Sequence, residues 1–404
     1  MNEHKAVPNI RFRNFKDEWT KKKISNFIIK NSDKNKNLVI KNIESISNKT
    51  GFTKQSEQFD GYRVASQDIS NYYVISPNQF AYNPSRINVG SIAYKKKGED
   101  KSIISPLYIS FSTSSHINDS FLWFWFKTTS FKKQRIQFSE GGVRDTLPFE
   151  NLKKMEISSP LLQEQKKIGD FFTKLGKLLD LQQQKIDKLE LLKKALLQKL
   201  FPKHDTKIPE LRYREFEDNW IIYSFSGLLI KNSSKNKNLE VENIESISNK
   251  NGFTKQSEQF DGYRVASLDL SNYYVIKGNQ FAYNPSRINV GSIAYKRKGE
   301  EDSIISPLYV SFSTKNNIND TFLWYWFRTS SFKKQRIQFS EGGVRDTLPF
   351  ENLKKMRIKL PRLNEQQKIG NLLSKVDQLI ELENKKLQNF QQLKKCLLQN
   401  MFVE

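Results

Sequence analysis

The chain is poor in the residues on which most site chemistry is built. Cys396 is the one cysteine in 404 residues, so a disulfide framework is excluded, as is a metal site built on thiolates. Histidine occurs three times, as His4, His116 and His204. No run approaches the ~20 consecutive apolar residues that a bilayer span needs. The opening "MNEHKAVPNIRF" has no apolar h-region, so no secretory signal is visible and a reducing cytoplasm is the expected setting. Acidic residues are also in deficit, with 43 Asp and Glu against 67 Lys and Arg, a net charge of +24. Such an excess favours polyanionic partners through counterion release and long-range steering. An anionic membrane surface is the rival to nucleic acid on charge alone, and the lack of a spanning run weakens it. What is present suffices for real cores: 37% hydrophobic and 12% aromatic residues, in a length that admits two or three domains.

The chain is two copies of one unit. "SEGGVRDTLPFENLKKM" runs from Ser139 to Met155 and returns unchanged from Ser340 to Met356, an offset of 201. The same offset relates "GFTKQSEQFDGYRVAS" at Gly51 and Gly252, "FAYNPSRINVGSIAYK" at Phe80 and Phe281, and "ISPLY" at Ile104 and Ile305. "PNIRFRNFKDEW" from Pro8 likewise matches "PELRYREFEDNW" from Pro209. No gap is needed, so the second copy is expected to fold as the first does.

Each copy has two textures. The first ~160 residues mix short runs rich in Tyr, Ile, Val and Phe, such as "YYVIS", "QFAYN", "GSIAYK" and "SPLYISFS", with Gly, Pro and Asn between them. "DSFLWFWFKTTSFKKQRI" predicts one buried helix, with Phe121, Leu122, Trp125 and Phe126 as its apolar cluster. This part reads as an α+β globular domain. The second part is a long helix from Gln163 to Phe201, roughly 58 Å at 1.5 Å per residue. Alternate steps of four and three give Ile168, Phe172, Leu175, Leu179, Gln182, Ile186, Leu189, Lys193, Leu196 and Leu200. The second copy gives Ile369, Leu373, Val376, Ile380, Glu383, Leu387, Phe390, Lys394, Leu397 and Met401. Eight of ten are apolar in each, with the exceptions at equivalent places, which is the signature of a coiled coil. Pro160 and Pro361 stand just ahead of the helices, and Pro202 ends the first.

Catalytic signals are weak. There is no Gly-rich phosphate loop, and Gly141-Gly142 is a lone pair. "NPSR" at Asn83 lacks the second Pro and the aromatic residue of an amino-methyltransferase motif. "EQK" at Glu164 resembles a nuclease E-x-K, but the second copy has "EQQ". The counterparts of His4 and His116 are Asp205 and Asn317, so no histidine recurs. What does recur is polar and basic residues on turns: Arg63, Tyr82, Asn83, Ser85, Arg86 and Arg144, with their twins Arg264, Tyr283, Asn284, Ser286, Arg287 and Arg345. Arg can contact guanine bidentately and Asn can do the same with adenine. Lys95 and its twin Lys296, with Lys96, Lys97, Lys132 and Lys133, are suited to phosphates. An ion pair of Arg144 with Asp145 or Glu140 is the competing role for that residue. The cluster Trp123, Phe124, Trp125 and Phe126 reads as core rather than a base-stacking platform.

"GGVRDTLPFENLKKMEISSPLLQEQKKIGDFF", followed by a heptad helix ending "LLKKALLQKLF", resembles the specificity subunit of type I restriction–modification systems. The pattern of paired Gly, Arg, Leu, Pro and Glu-Gln occurs in both halves, and the overall plan spans the chain. The resemblance implies target-recognition domains over 1–160 and 204–360, with a spacer helix and linker over 161–203 and a second spacer helix over 361–404. It implies two helices packed as an antiparallel coiled coil, with the whole chain pseudo-two-fold symmetric. Each domain would read one half of an interrupted double-stranded DNA site. Two modification subunits carrying S-adenosylmethionine would methylate adenine, and ATP- and Mg-dependent motor-nuclease subunits would cut. This chain would hold no cofactor and do no chemistry. Family members usually carry two different domains. Here they are nearly alike, so an interrupted inverted repeat is expected as the target. A non-catalytic coiled-coil scaffold outside restriction, or a stand-alone methyltransferase or nuclease, are the alternatives.

Overall fold

A computed structural model describes residues 7–403 apart from 49, 59–64, 142–144, 204, 250, 251, 260–265 and 343–345. Arg63, Arg144, Arg264 and Arg345 therefore lie outside the described residues. The chain divides into two compact units, residues 1–183 with 385–404, and residues 184–384. Both boundaries fall inside long helices, Leu162–Lys199 and Leu363–Asn400, each of 38 residues. The first unit is therefore not a sequential stretch, being a globular domain with parts of both helices, whereas the second is continuous in sequence and likewise takes in parts of both helices.

In the first unit a four-stranded antiparallel sheet has the order Ile28–Lys30, Ile109–Thr113, Gln79–Tyr82, Ile92–Tyr94. Pleating sends alternate side chains to opposite faces. Phe80 and Tyr82 point into one core, which also holds Phe111, Phe121 and Trp125; Ala81 points into a second, with Ile46, Ile75, Ala93 and Ile104. Phe80 sits opposite Phe111 and Tyr94 in register and stacks on them at 5.1 and 4.6 Å. Each fully buried ring of this kind contributes about 2 kcal/mol. Two-stranded pairs flank the sheet: the hairpin Glu44–Ser47 with Gly51–Lys54, Tyr73–Ile75 with Ser102–Ile104, and Thr20–Lys23 with Glu156–Ser159.

The stretch expected to form one buried helix forms two, Asp119–Trp125 and Thr129–Phe138. The break has a local cause. The Thr128 side chain accepts a hydrogen bond from the Phe131 amide and caps the second helix, as Asn118 caps the first through the Phe121 amide.

Parts of both long helices belong to the core of this unit. Ile168, Phe172 and Leu175 join Met401 and Phe402 in one cluster with Phe121 and Phe124. Phe402 lies 5.0 Å from the Phe121 ring and 6.1 Å from Phe172. The Ile10 amide donates to Asn400 O at 2.8 Å, tying the start of the domain to the end of the second helix.

The second unit has the same plan, its four-stranded sheet running Leu229–Lys231, Val310–Thr314, Gln280–Tyr283, Ile293–Lys296. Phe201, at the end of the first helix, lies 5.0 Å from Phe322. Within this unit the helices run antiparallel, since Lys185 pairs with Glu383 at 2.8 Å and Lys193 with Asp377 at 2.5 Å. Two of the polar exceptions in the heptads are thereby explained. Glu383 is buried because Lys185 neutralises it, and Lys193 finds a carboxylate. None of the sixteen apolar heptad positions is exposed.

Candidate nucleic-acid interface

Three loops meet at one end of the first domain. The turn joining Gln79–Tyr82 to Ile92–Tyr94 carries Asn83, Ser85 and Arg86. The Asn83 side chain accepts from the Ser85 amide at 3.0 Å, an Asx turn that folds the loop back locally. Arg86 O then accepts from the amides of Val89 and Ser91, and Gly90 supplies the left-handed backbone (φ +89°) that closes the turn. Ser91 Oγ donates to Ile46 O at 3.1 Å, binding this turn to the hairpin that carries Asn48 and Thr50. The third loop follows Ser139. Glu140 and Thr146 exchange two backbone hydrogen bonds of 2.8 Å, and the Leu147 amide donates to Pro84 O at 3.0 Å. The residues on either side of 142–144 are thus paired with each other and tied, through Leu147, to the "NPSR" turn. Glu140 Oε1 is engaged by Asn151 Nδ2 at 2.5 Å.

Ser85 and Arg86 are exposed on this end, and Asn83 is half-buried. Arg86 has no carboxylate partner among the described residues, which leaves a planar set of five donors presented to solvent. The second domain repeats the arrangement. Asn284 Oδ1 accepts from Ser286 N, Ser292 Oγ donates to Ile247 O, and Leu348 N donates to Pro285 O, with Arg287 exposed.

Two pairs of candidates are corrected by the structure. Tyr82 and Tyr283 are fully buried, and each donates its hydroxyl to a backbone oxygen, of Leu147 at 3.0 Å and Leu348 at 2.9 Å. Burial pushes both phenols far above their ordinary pKa. Their role is to anchor the third loop, not to touch DNA. Lys95 and Lys296 are 2% and 1% exposed. Lys95 Nζ meets Glu44 at 2.6 Å and Ser102 Oγ at 3.0 Å, and Lys296 meets Glu245 and Ser303 likewise. Neither ammonium is available to a phosphate. Lys96, Lys97, Lys132 and Lys133 remain on the surface.

The family model for the type I restriction modification DNA specificity domain matches residues 16–191 and 225–392. The chain belongs to the type I restriction–modification DNA specificity family. The specificity subunit MjaVIII of Methanocaldococcus jannaschii is 25% identical over 334 residues, covering 77% of this chain and 75% of the relative. The putative MjaX specificity subunit of the same organism is 23% identical over 385 residues, covering 89% and 85%. The fold resembles the type I restriction–modification S subunit from M. genitalium, with a TM-score of 0.60 at 13% identity, covering 98% of this chain and 99% of the other. It also resembles a chain from a structure of type I R-M complex assembly and conformational transition, with a TM-score of 0.54 at 13% identity, covering 94% and 96%.

In this specificity subunit the Glu-Gln pair at each helix start is a structural lock. Glu164 is 1% exposed and accepts both Nε and an Nη of Arg11 at 2.8 Å. Gln165 donates to Pro160 O at 2.8 Å and accepts from the Asn118 amide at 2.9 Å. Glu164 is therefore a neutralised buried acid, not a metal-binding carboxylate of a nuclease. Among the described residues no group of three or more His, Cys, Asp or Glu could hold a metal ion, and no helix is long and apolar enough to cross a membrane. Sequence reasoning missed Asn48, Thr50 and Asn88, which the fold carries to the same end as Arg86. The unchanged "INVGS" in both copies was the available signal for Asn88.

Proposed function

We propose that this chain reads DNA through the clustered loops of each domain, with Arg86 and Arg287 as base-edge contacts. The carrying observation is that the exposed Arg of the "NPSR" turn, with no carboxylate partner among the described residues, is held by the same turn hydrogen bonds in both units. A specificity subunit with two like readers fits an interrupted inverted repeat as its target. The 201-residue repeat and the antiparallel run of the helices within a unit support that reading. The net charge of +24 supplies the salt-dependent, sequence-independent part of the affinity. The subunit holds no catalytic group of its own. It directs two modification subunits, which carry S-adenosylmethionine and methylate adenine, and motor-nuclease subunits, which use ATP and Mg. It works in the cytoplasm, alongside the DNA it reads. Sequencing the methylated motifs of a host with and without this chain is the test. One inverted motif that disappears with the chain is expected, and two unrelated half-sites overturn the inverted-repeat reading.

A further inference from the structure

The two units differ where the end of the domain's first core helix faces the long helices. In the second unit that corner is electrically closed. Asp377 receives the Tyr325 hydroxyl at 2.7 Å and the Lys193 ammonium at 2.5 Å. Arg328 stacks on Trp324 with its guanidinium carbon 3.3 Å from the ring centre, and Asp377 also stabilises its charge. Arg297 adds a third cation near Tyr325.

In the first unit the cations are kept and the carboxylate at the position of Asp377 is gone, leaving Asp180 as the acid that acts on Lys394. Lys96, Lys127 and Lys394 stand where the second unit has Arg297, Arg328 and Lys193. Asp377 is replaced by Gly176 and Tyr325 by Phe124, so the carboxylate and the hydroxyl bonded to it are lost together. A Cβ added at Gly176 would meet nothing within 4 Å, so the space beside it is open. None of the three lysines has an ion pair among the described residues. Lys127 lies over the Trp123 ring at 4.2 Å, and the Lys96 amide takes the Glu99 carboxylate. Although the Lys127 side chain keeps solvent access, the surrounding protein desolvates it. That desolvation, then the charges of Lys394 and Lys96, hold its ammonium down to about 8. Asp180 offsets part of the strain on Lys394 alone.

By the repeat, Lys394 and Lys127 take the places of Lys193 and Arg328 beside Asp377, with Lys96 in the place of Arg297, so the open space at Gly176 is lined by cations and suits an anion. The second unit shows what the geometry accepts there, a carboxylate held by an ammonium and a neighbouring hydroxyl. We propose that the corner formed by Lys96, Lys127 and Lys394 binds a phosphate-type oxyanion, and that Asp377 fills the equivalent site of the second unit from within. The ligand is either a free phosphate or a phosphodiester of bound DNA.

The test uses the full chain at constant ionic strength, balanced with chloride. Inorganic phosphate titrated by calorimetry should bind once to the wild type. The double variant Phe124→Tyr with Gly176→Asp should weaken that binding at least tenfold, and Tyr325→Phe with Asp377→Gly should create a second site. A parallel arm measures the salt dependence of DNA binding. A slope reduced by about one phosphate in Phe124→Tyr with Gly176→Asp identifies the ligand as DNA backbone, whereas an unchanged slope with lost phosphate binding identifies free phosphate. Equal phosphate binding by wild type and both double variants, with no change in DNA slope, overturns the proposal. The phosphate arm does not depend on the DNA reading, so failure of one leaves the other standing.

Discussion

Glu164 lies at the first turn of a 38-residue helix and holds Arg11, 153 residues away, through two hydrogen bonds of 2.8 Å. Glu365 holds Arg212 with the same geometry, and there the Trp220 indole also donates to Glu365 at 3.3 Å. Bonding to Glu164 raises the Arg11 pKa further above its ordinary value, so the guanidinium stays charged. Removing one partner leaves a buried charge unpaired. Arg11→Ala is expected to cost about 3 kcal/mol in denaturant unfolding, and a double replacement by apolar residues should cost less than the single one. A single variant as stable as the wild type would show that the lock contributes nothing.

Gly169 and Gly176 sit two turns apart on the same helix with opposite surroundings. A Cβ at Gly169 would lie 2.7 Å from Ser120 Cβ and 2.9 Å from the Phe121 amide nitrogen, because the N-terminus of the first core helix presses on it. Gly169→Ala should destabilise by about 1–3 kcal/mol through overpacking. Gly176→Ala meets open space and should stabilise by about 0.5–1 kcal/mol through helix propensity. Thermal melting of the two variants with opposite signs is the expected result, and the same sign for both would contradict the packing described.

Arg86→Ala should remove the proposed base contact in one half-site and leave the fold intact, since the side chain has no charge partner among the described residues. A loss of about 1–3 kcal/mol is expected, with relaxed choice at one base position. Arg287→Ala should do the same in the other half-site, and methylation mapping would locate both. Lys95→Gln, by contrast, should lower stability by stranding Glu44 in the core, with DNA affinity following only through the folded fraction.

Much of this was legible in the sequence because the repeat removed ambiguity. Two copies of one pattern established the heptads, and every apolar heptad position is sheltered from solvent. Boundaries at Pro160 and Pro361 lie within two residues of the observed helix starts. The misreadings share a physical origin. A Tyr or Lys in a turn-rich string looks like a surface residue, but strand alternation drives Tyr82 inward, and a distant Glu44 neutralises Lys95. Partners 51 residues apart leave no local trace. The break at Thr128 was hidden for a similar reason, since a run of apolar residues outweighs one capping threonine by eye. The division of each helix between two units could not be read at all, because periodicity gives a helix its face and not its partner.

Lys127 gives the first unit a distinctive pH dependence. Its folded pKa, about 8, lies below the ordinary lysine value, through desolvation and then the charges of Lys394 and Lys96. Between the folded and unfolded values the unfolded chain binds the extra proton, so stability rises with pH across that window. The cost of the charged form is present below about pH 8 and fades above it. Lys127→Gln should flatten this rise when unfolding free energy is followed from pH 7.5 to 10. An unchanged profile would mean that Lys127 titrates normally in the fold.

The unit boundaries sharpen what a change of helix length would do. They fall after Gln183 in the first helix and after Asn384 in the second, equivalent positions of the repeat. Seven residues inserted at both points preserve the pairing of helix segments inside each unit, because a heptad returns every side chain to its own face. An insertion in only one helix leaves its partner short and should cost stability. The paired insertion lengthens each helix by ~10 Å, about three base pairs of duplex. If the helices set the distance between the two reading ends, the methylated motif should keep its half-site letters and gain about three base pairs of spacer. Altered letters with an unchanged spacer would rule the helices out as the ruler.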